Sequence, residues 1–489
     1  MHKLPFDTIL IANRGEIAVR IIKTLRKLGL RSAIICHEVD ARSPAVSMAD
    51  VAIPISGRTP IAAYLDIAQI IAAAHKASAG AVHPGYGFLS ENAEFARAVI
   101  EAGFSFIGPA PETIELMGDK IRARNFVQWN GFPVASSAIE EDDPATFVSR
   151  ARAIGAPLLV KPSGGGGGKG MRIVRDLSTL EDAIDQSRSE GQRYFGDGRL
   201  YVEQYIENPR HIEVQVLGDA FGNVVHLFER ECSVQRRFQK IIEETPSPAL
   251  SPELRERICE TAVGIARAAN YQNAGTVEFI LGENEFFFLE MNTRLQVEHP
   301  VTEMITGIDL VAEQVYAAAG KELGFSQGDI VSNGHAIELR LYAEAPQRGY
   351  IPTTGKVLLL EYPDGVRIDS GILQGQQITT AFDPMLAKII AHSPTRIEAA
   401  MKAHRAIREL VLLGCETNAS FLARILADEA FLGGQFHTGY LEENPHIAAD
   451  NFASGLSAFL AAGALLARPV RESADAVPEL HAALGSWRN

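Results

Sequence analysis

The segment Phe287-Phe288-Leu289-Glu290-Met291-Asn292-Thr293-Arg294 runs on into Leu295-Gln296-Val297-Glu298 and alternates apolar with polar residues. An extended strand sends alternate side chains to one face. Glu290, Asn292, Arg294, Gln296 and Glu298 therefore share a side while the chain stays extended. A second stretch, Thr276-Val277-Glu278-Phe279-Ile280, can pair with it and offer Glu278 to that side. Two carboxylates and an amide on neighbouring strands make an oxygen-rich Mg²⁺ site, with phosphate oxygens completing the octahedron. The plainer reading is a solvated face with cross-strand ion pairs. Strict alternation of five polar residues, ending in His299-Pro300, favours the metal site.

A second group points to phosphate. Pro157–Lys161 reads as a strand, Ser163–Gly170 spells SGGGGGKG, and Met171–Val174 reads as a second strand. It is no Walker A loop: Ser163 replaces the first glycine, no Ser or Thr follows Lys169, and no helix follows. Glycines, Gly166 and Gly167 among them, let backbone amides approach an anion unobstructed, and Lys161 and Lys169 add charge. A surface hairpin would close more cheaply with two residues, so five ordered glycines argue for a phosphate-covering flap. The basic run Gln235-Arg236-Arg237-Phe238-Gln239-Lys240 alone reads as a solvated turn, and near a metal–nucleotide site as a holder of a small anion.

The elements that position these groups read as α/β. Strand Thr8–Ala12, helix Ile17–Leu28, strand Arg31–Cys36, helix Tyr64–Ala77 and strand Gly80–His83 set a β-α-β rhythm, hence a doubly wound, mostly parallel sheet. No GxGxxG follows the first strand, so a dinucleotide site is not supported. Polar clusters at the strand C-termini are Asn13-Arg14-Gly15-Glu16 and His83-Pro84-Gly85-Tyr86-Gly87, where such sheets bind ligands. Helix Ile121–Asn130 leads into a small segment, Pro133–Ile206, that carries the glycine loop. Ile212–Leu217, Val224–Glu229, Gly275–Ile280 and Glu285–Met291 read as antiparallel strands, and Pro300 opens a helical stretch to Gly320. The chain is strand-rich from Gly334 and helical from Thr395 to Leu413. The expected domains are 1–117, 118–333 with a mobile lid at 133–206, an α+β domain at 334–447, and a helical tail at 448–489.

The 489 residues carry a net charge of −14, which argues against nucleic-acid and anionic-membrane partners. Cys36, Cys232, Cys259 and Cys415 lie far apart with no metal spacing, as expected of reduced thiols in the cytoplasm. The first strand begins too early for a targeting peptide. The apolar stretch Phe452–Ala467, broken by Ser454, Gly455, Ser457 and Gly463, falls short of the ~20 residues a span needs.

From Ile9 to about Leu441 the chain resembles biotin carboxylase, the ATP-grasp component of biotin-dependent carboxylases. The matching segments are IANRGEIAVRI from Ile11, HPGYGFLSEN from His83, LMGDK ending at Lys120, SGGGGGKGM from Ser163, RECSVQRR from Arg230 and EMNTRLQVEHPVTEMITG from Glu290. The resemblance implies a homodimer that makes carboxybiotin from ATP, bicarbonate and biotin on a separate carrier protein, for a carboxyltransferase partner. It implies nucleotide contacts at Lys120, Lys161, Gly166, Gly167, Glu203, Ile206, His211 and Phe238, and Mg²⁺ (or Mn²⁺) on Glu278 and Glu290 with Asn292 nearby. It implies a bicarbonate pocket of Lys240, Arg294, Gln296, Val297 and Glu298, with Glu298 the general base. Arg340 is similar to the residue that steadies the biotin enolate, and Tyr86 to one flanking the biotin ring. Two positions depart: Phe238 stands where the family commonly has His, and Lys169 where it usually has Arg, which loses the bidentate fork. The alternatives are another ATP-grasp ligase, disfavoured by Arg294, Glu298 and Arg340, and a non-catalytic nucleotide-binding subunit, whose one support is Phe238. Ala400-Met401-Lys402 superficially resembles a biotin attachment site, but Ile397–Leu410 has helical periodicity. The chain is therefore expected to carry no biotin itself.

Overall fold

The computed structural model describes residues 4–163, 170–283 and 285–449, and Gly463. Thr8–Ile11, Arg31–Cys36, Val51–Pro54, Ala81–His83 and Ser105–Phe106 form a five-stranded sheet in which Thr8–Ile11 is central. Every pairing in it is parallel, as the alternation of strand and helix requires. Buried Ile9, Ile11, Ile17, Ile21 and Leu25 lock the helix Gly15–Lys27 onto this sheet. The expected helix Tyr64–Ala77 is two helices, Pro60–Tyr64 and Ile67–Lys76. Asp66 breaks it, because its side chain accepts from the Gln69 amide as an N-cap.

Residues 133–206 build a four-stranded sheet from Ser137–Ile139, Leu200–Gln204, Leu158–Pro162 and Arg172–Val174, in that spatial order. Helices Phe147–Ile154 and Leu180–Phe195 pack on it around Phe147, Leu158, Val160, Leu180 and Val202. Leu158–Pro162 and Arg172–Val174 pair antiparallel, so the glycine run joins two neighbouring strands. Gly166, Gly167 and Lys169 themselves lie outside the described residues.

An eight-stranded sheet forms the body. Its order is Phe286–Asn292, Asn273–Leu281, Arg210–Gly218, Val224–Arg236, Gln239–Thr245, His335–Tyr342, Met385–Ser393 and Arg367–Ser370. All its pairings are antiparallel. Helix Pro252–Ala268 covers it through Ile258, Ala262 and Ile265. Helix Arg396–Glu409 covers its other end through Ala399, Ala403 and Ile407. The fold is thus α/β, as expected, with a parallel sheet first and a large antiparallel sheet after it.

Three expectations need correction. The carboxylate strand stops at Asn292, and 293–298 is a compact loop rather than a continued strand. The stretch from Pro300 to Gly320 is two helices, His299–Thr306 and Leu310–Ala318, because Gly307 ends the first in the left-handed region and Asp309 caps the second. The helical stretch expected from Thr395 to Leu413 ends at Glu409, and Val411–Leu413 is a strand paired with Leu359–Glu361. Lys402 does sit on that helix, its Nζ donating to the His392 carbonyl at 3.1 Å. Among the described residues no helix is long and apolar enough to cross a membrane. The expected helical tail lies almost entirely outside the described residues.

Candidate active site

Glu278 and Glu290 are direct cross-strand partners, as are Thr276 and Asn292. Register therefore places two carboxylates and an amide side by side. Beyond Asn292 the loop does what a strand could not. Gln296 turns back to donate to Glu278 Oε1 at 2.7 Å, and Asn292 Nδ2 donates to the same oxygen at 2.8 Å. Glu298 then opens the helix His299–Thr306.

Lys240 is the centre of the charge pattern. Its Nζ donates to Glu213 Oε2 at 2.5 Å, Glu298 Oε1 at 2.5 Å and Glu278 Oε1 at 3.0 Å. It reaches them through a bulge: Val234 faces Ile242 but Gln235 faces Lys240, so one extra residue re-aims the lysine. Arg340, on the adjacent strand His335–Tyr342, donates to Glu298 Oε2 at 2.9 Å and to Glu243 Oε1 at 2.5 Å. Burial alone would raise the Glu298 carboxyl, but Lys240, Arg340 and Arg230 outweigh it and hold the group far below the usual carboxylate range. Glu298 is therefore ionised, and it stays a weak base for as long as Lys240 and Arg340 hold both of its oxygens. Burial drives Glu243 the other way, up to about 7, against the opposing Arg340.

Arg294 divides its guanidinium between Glu91 Oε2 at 2.8 Å, Asn292 Oδ1 at 2.9 Å and the Leu295 carbonyl at 3.3 Å. Lys120 opens the helix Lys120–Trp129, and its Nζ lies 3.3 Å from Glu290 Oε2. In the small sheet Lys161 meets Glu203 at 2.6 Å, their strands being paired. Ile206 follows that strand half-buried. His211 lies 2.9 Å from Glu278 Oε2; burial would lower its pKa, but Glu278 lifts it above the ordinary value. The Tyr86 hydroxyl is buried with no partner, and Asn13 holds the loop around it by donating to the Pro84 and Tyr86 carbonyls. Phe238 stands apart. It is the second residue of the two-residue turn between Arg236 and Gln239, with positive φ like Arg237, and is 59% exposed.

The donor set suits a divalent cation: Glu278 and Glu290 share a register, Asn292 adjoins them, and Glu278 is held well below its usual pKa chiefly by Lys240 and His211 against burial. Ligand atoms of His211, Glu213 and Glu278 also lie within 4.8 Å of one another, but the Lys240 ammonium already neutralises that group.

Some residues that the sequence does not single out complete the site. Arg230 is wholly buried and donates to Glu213, Gln215, Thr276, Gln296 and Thr302, tying three strands and a helix together. The alternation His211, Glu213, Gln215 on one strand is the available signal for Glu213. Glu91 stands in the matching segment from His83, whereas Glu243 and Lys388 carry no signal, since only tertiary pairing brings them in.

Family profiles match along the chain: "Biotin carboxylase, N-terminal domain" over residues 5–114, "Carbamoyl-phosphate synthase L chain, ATP binding domain" over 119–325, and "Biotin carboxylase C-terminal domain" over 338–443. The chain is 47% identical over 441 residues to a biotin carboxylase of Halalkalibacterium halodurans, covering 89% of this chain and 97% of that protein. It is 46% identical over 443 residues to biotin carboxylase 2 of Bacillus subtilis, covering 90% of this chain and 100% of that protein. Among solved structures, the biotin carboxylase domain dimer of Hydrogenobacter thermophilus 2-oxoglutarate carboxylase, in complex with MgADP, ADP and bicarbonate, superposes with TM-score 0.88 at 43% identity. That match covers 92% of this chain and all of the other.

Proposed function

We propose, from the premise that this chain belongs to the biotin carboxylase family, that it is an ATP-dependent ligase that carboxylates biotin with bicarbonate. The observation that carries this is the buried constellation in which Lys240 and Arg340 share the two oxygens of Glu298. Bicarbonate becomes a competent nucleophile only when its proton is taken, and by drawing Lys240 off Glu298 the anion raises the basicity of the carboxylate that takes it.

In this reading Lys120, Lys161 and His211 hold the nucleotide phosphates, and Glu203 and Ile206 border the nucleotide. The exposed turn that carries Phe238 comes against the nucleotide when it binds, and the ring offers no polar contact there. Glu278, Glu290 and Asn292 hold Mg²⁺, which when bound neutralises the charge developing on the transferred phosphoryl group. Bicarbonate displaces carboxylates from Lys240 and Glu91 from Arg294, and rests against Gln296 and Val297. Glu298 takes its proton as a bicarbonate oxygen attacks the γ-phosphorus and ADP leaves. The carboxyphosphate breaks to CO₂ and phosphate. Biotin, beside Tyr86, gives its ureido N–H proton to the phosphate just released, and the nitrogen attacks CO₂ while Arg340 steadies the enolate oxygen. Keeping water out is the task of the small sheet and its glycine segment.

The chain works in the cytoplasm as a homodimer. It charges biotin on a separate carrier protein and hands it to a carboxyltransferase, whose identity sets the final acceptor. The test is ADP release with MgATP and bicarbonate, with and without biotin, alongside ¹⁴C-carboxybiotin formation. ADP release indifferent to bicarbonate would sink the reading.

A further inference from the structure

Lys388 takes no part in the reaction described above, yet it is wholly buried within the site. It lies on Met385–Ser393, directly opposite Arg340 on one neighbour and Asp369 on the other. Its Nζ donates to the Val297 carbonyl at 2.6 Å and lies 3.5 Å from Glu16 Oε2. The same ammonium sits 5.8 Å from the Tyr86 ring centroid. Glu16 is itself buried, and neither of its oxygens accepts a hydrogen bond. Its backbone is seated against Gly371, where a Cβ would come within 2.6 Å of the Glu16 amide nitrogen. Burial pushes Glu16 up to about 7, with Lys388 the largest influence against it.

A buried ammonium is costly unless paired and hydrogen-bonded, and hydrophobic residues of similar size often stabilise such sites equally well. An ammonium at this position therefore calls for a reason beyond packing. The Val297 carbonyl supplies one. It belongs to the peptide that precedes Glu298, and fixing it fixes the direction from which the base enters its site. Lys240, Arg340 and Lys388 come from three successive strands of one sheet. The first two hold the carboxylate of Glu298 and the third holds the peptide behind it.

We propose that Lys388 is a positioning residue for the reaction: its hydrogen bond to the Val297 carbonyl aims Glu298 at bicarbonate, and its place beneath Tyr86 keeps the biotin side of the site in the same frame. This rests on the ligase reading given above. Catalytic groups misplaced by about 1 Å lose on the order of 10²-fold in rate.

The test compares wild type, Lys388→Met and the double variant Lys388→Met/Glu16→Gln in the full chain. Thermal midpoint, affinity for an ATP analogue, and kcat and KM for bicarbonate-dependent ADP release are measured. The single variant removes the cation facing Glu16, which must then take up a proton, and should lose thermal stability. The double variant removes both charges and should regain the wild-type midpoint. Both should bind the analogue within twofold of wild type, and both should lose at least tenfold in kcat. A double variant with wild-type kcat would show that Lys388 only neutralises Glu16, overturning the proposal alone, as would a loss confined to ATP affinity. A wild-type chain with no bicarbonate-dependent ADP release overturns the ligase reading, and this proposal with it.

Discussion

Glu298 sits where three cations converge, and its replacement isolates one function. Glu298→Gln keeps the shape and the acceptor oxygen but cannot take a proton. Binding of an ATP analogue should survive, and bicarbonate-dependent turnover should fall by roughly 10²–10⁴-fold. With Arg340 proposed to steady the biotin enolate, Arg340→Ala should lower carboxybiotin formation more than bicarbonate-dependent ADP release. Equal loss of both would count against an enolate role. Phe238 is a different case: an aromatic residue in the left-handed region at an exposed turn packs little and offers no hydrogen bond. Phe238→His should tighten nucleotide binding a few-fold to tenfold, the ~0.5–1.5 kcal/mol of one net hydrogen bond, measured by calorimetry. Weaker binding would mean the ring fills an apolar niche of its own.

At the level of elements, the small sheet of residues 133–206 has its own core and carries the ion pair Lys161–Glu203, proposed above to meet the nucleotide. With MgATP analogue bound, amides of Leu158–Pro162 and Arg172–Val174 should gain protection from hydrogen exchange. Unchanged protection at saturating nucleotide would remove the lid from the mechanism. The elements also show what a linear reading can reach. Alternation finds Glu290 and Asn292, and pairing sets Glu278 opposite Glu290. The same rule extends the strand too far, because nothing in Thr293–Glu298 announces the turn except the helix that begins at His299. Lys240 is reached through its basic run and through resemblance, while the bulge that aims it is a property of two strands together. Arg230 stands inside a matching segment, but its hub role needs partners from residues 213 to 302, which local periodicity cannot supply. Helix breaks at Asp66 and Gly307 are written in cap residues that the periodicity outvotes.

For the whole molecule, buried titratable groups set the response to acid. His83 is fully buried and burial lowers its pKa to about 3, whereas the unfolded chain binds that proton near 6.5. A lowered folded value means the stabilisation is present above 6.5 and is lost as pH falls toward 3. The thermal midpoint should therefore decline between about pH 6.5 and 4. His83→Gln should flatten that limb by something on the order of 1–3 kcal/mol. An acid limb of unchanged steepness in the variant would assign the decline to other groups.

The body sheet has a further consequence, concerning where this molecule can be divided. Five of its strands precede residue 326 and three follow residue 334, and they meet where Gln239–Thr245 pairs with His335–Tyr342. Severing the chain near the exposed Val331 would separate two recognisable domains by sequence, yet leave each with a raw row of unpaired amides and carbonyls. Neither half would be a self-sufficient protein. Each would present a template for the other, so co-expressed halves should reassemble along that seam, and either half alone should recruit copies of itself and precipitate.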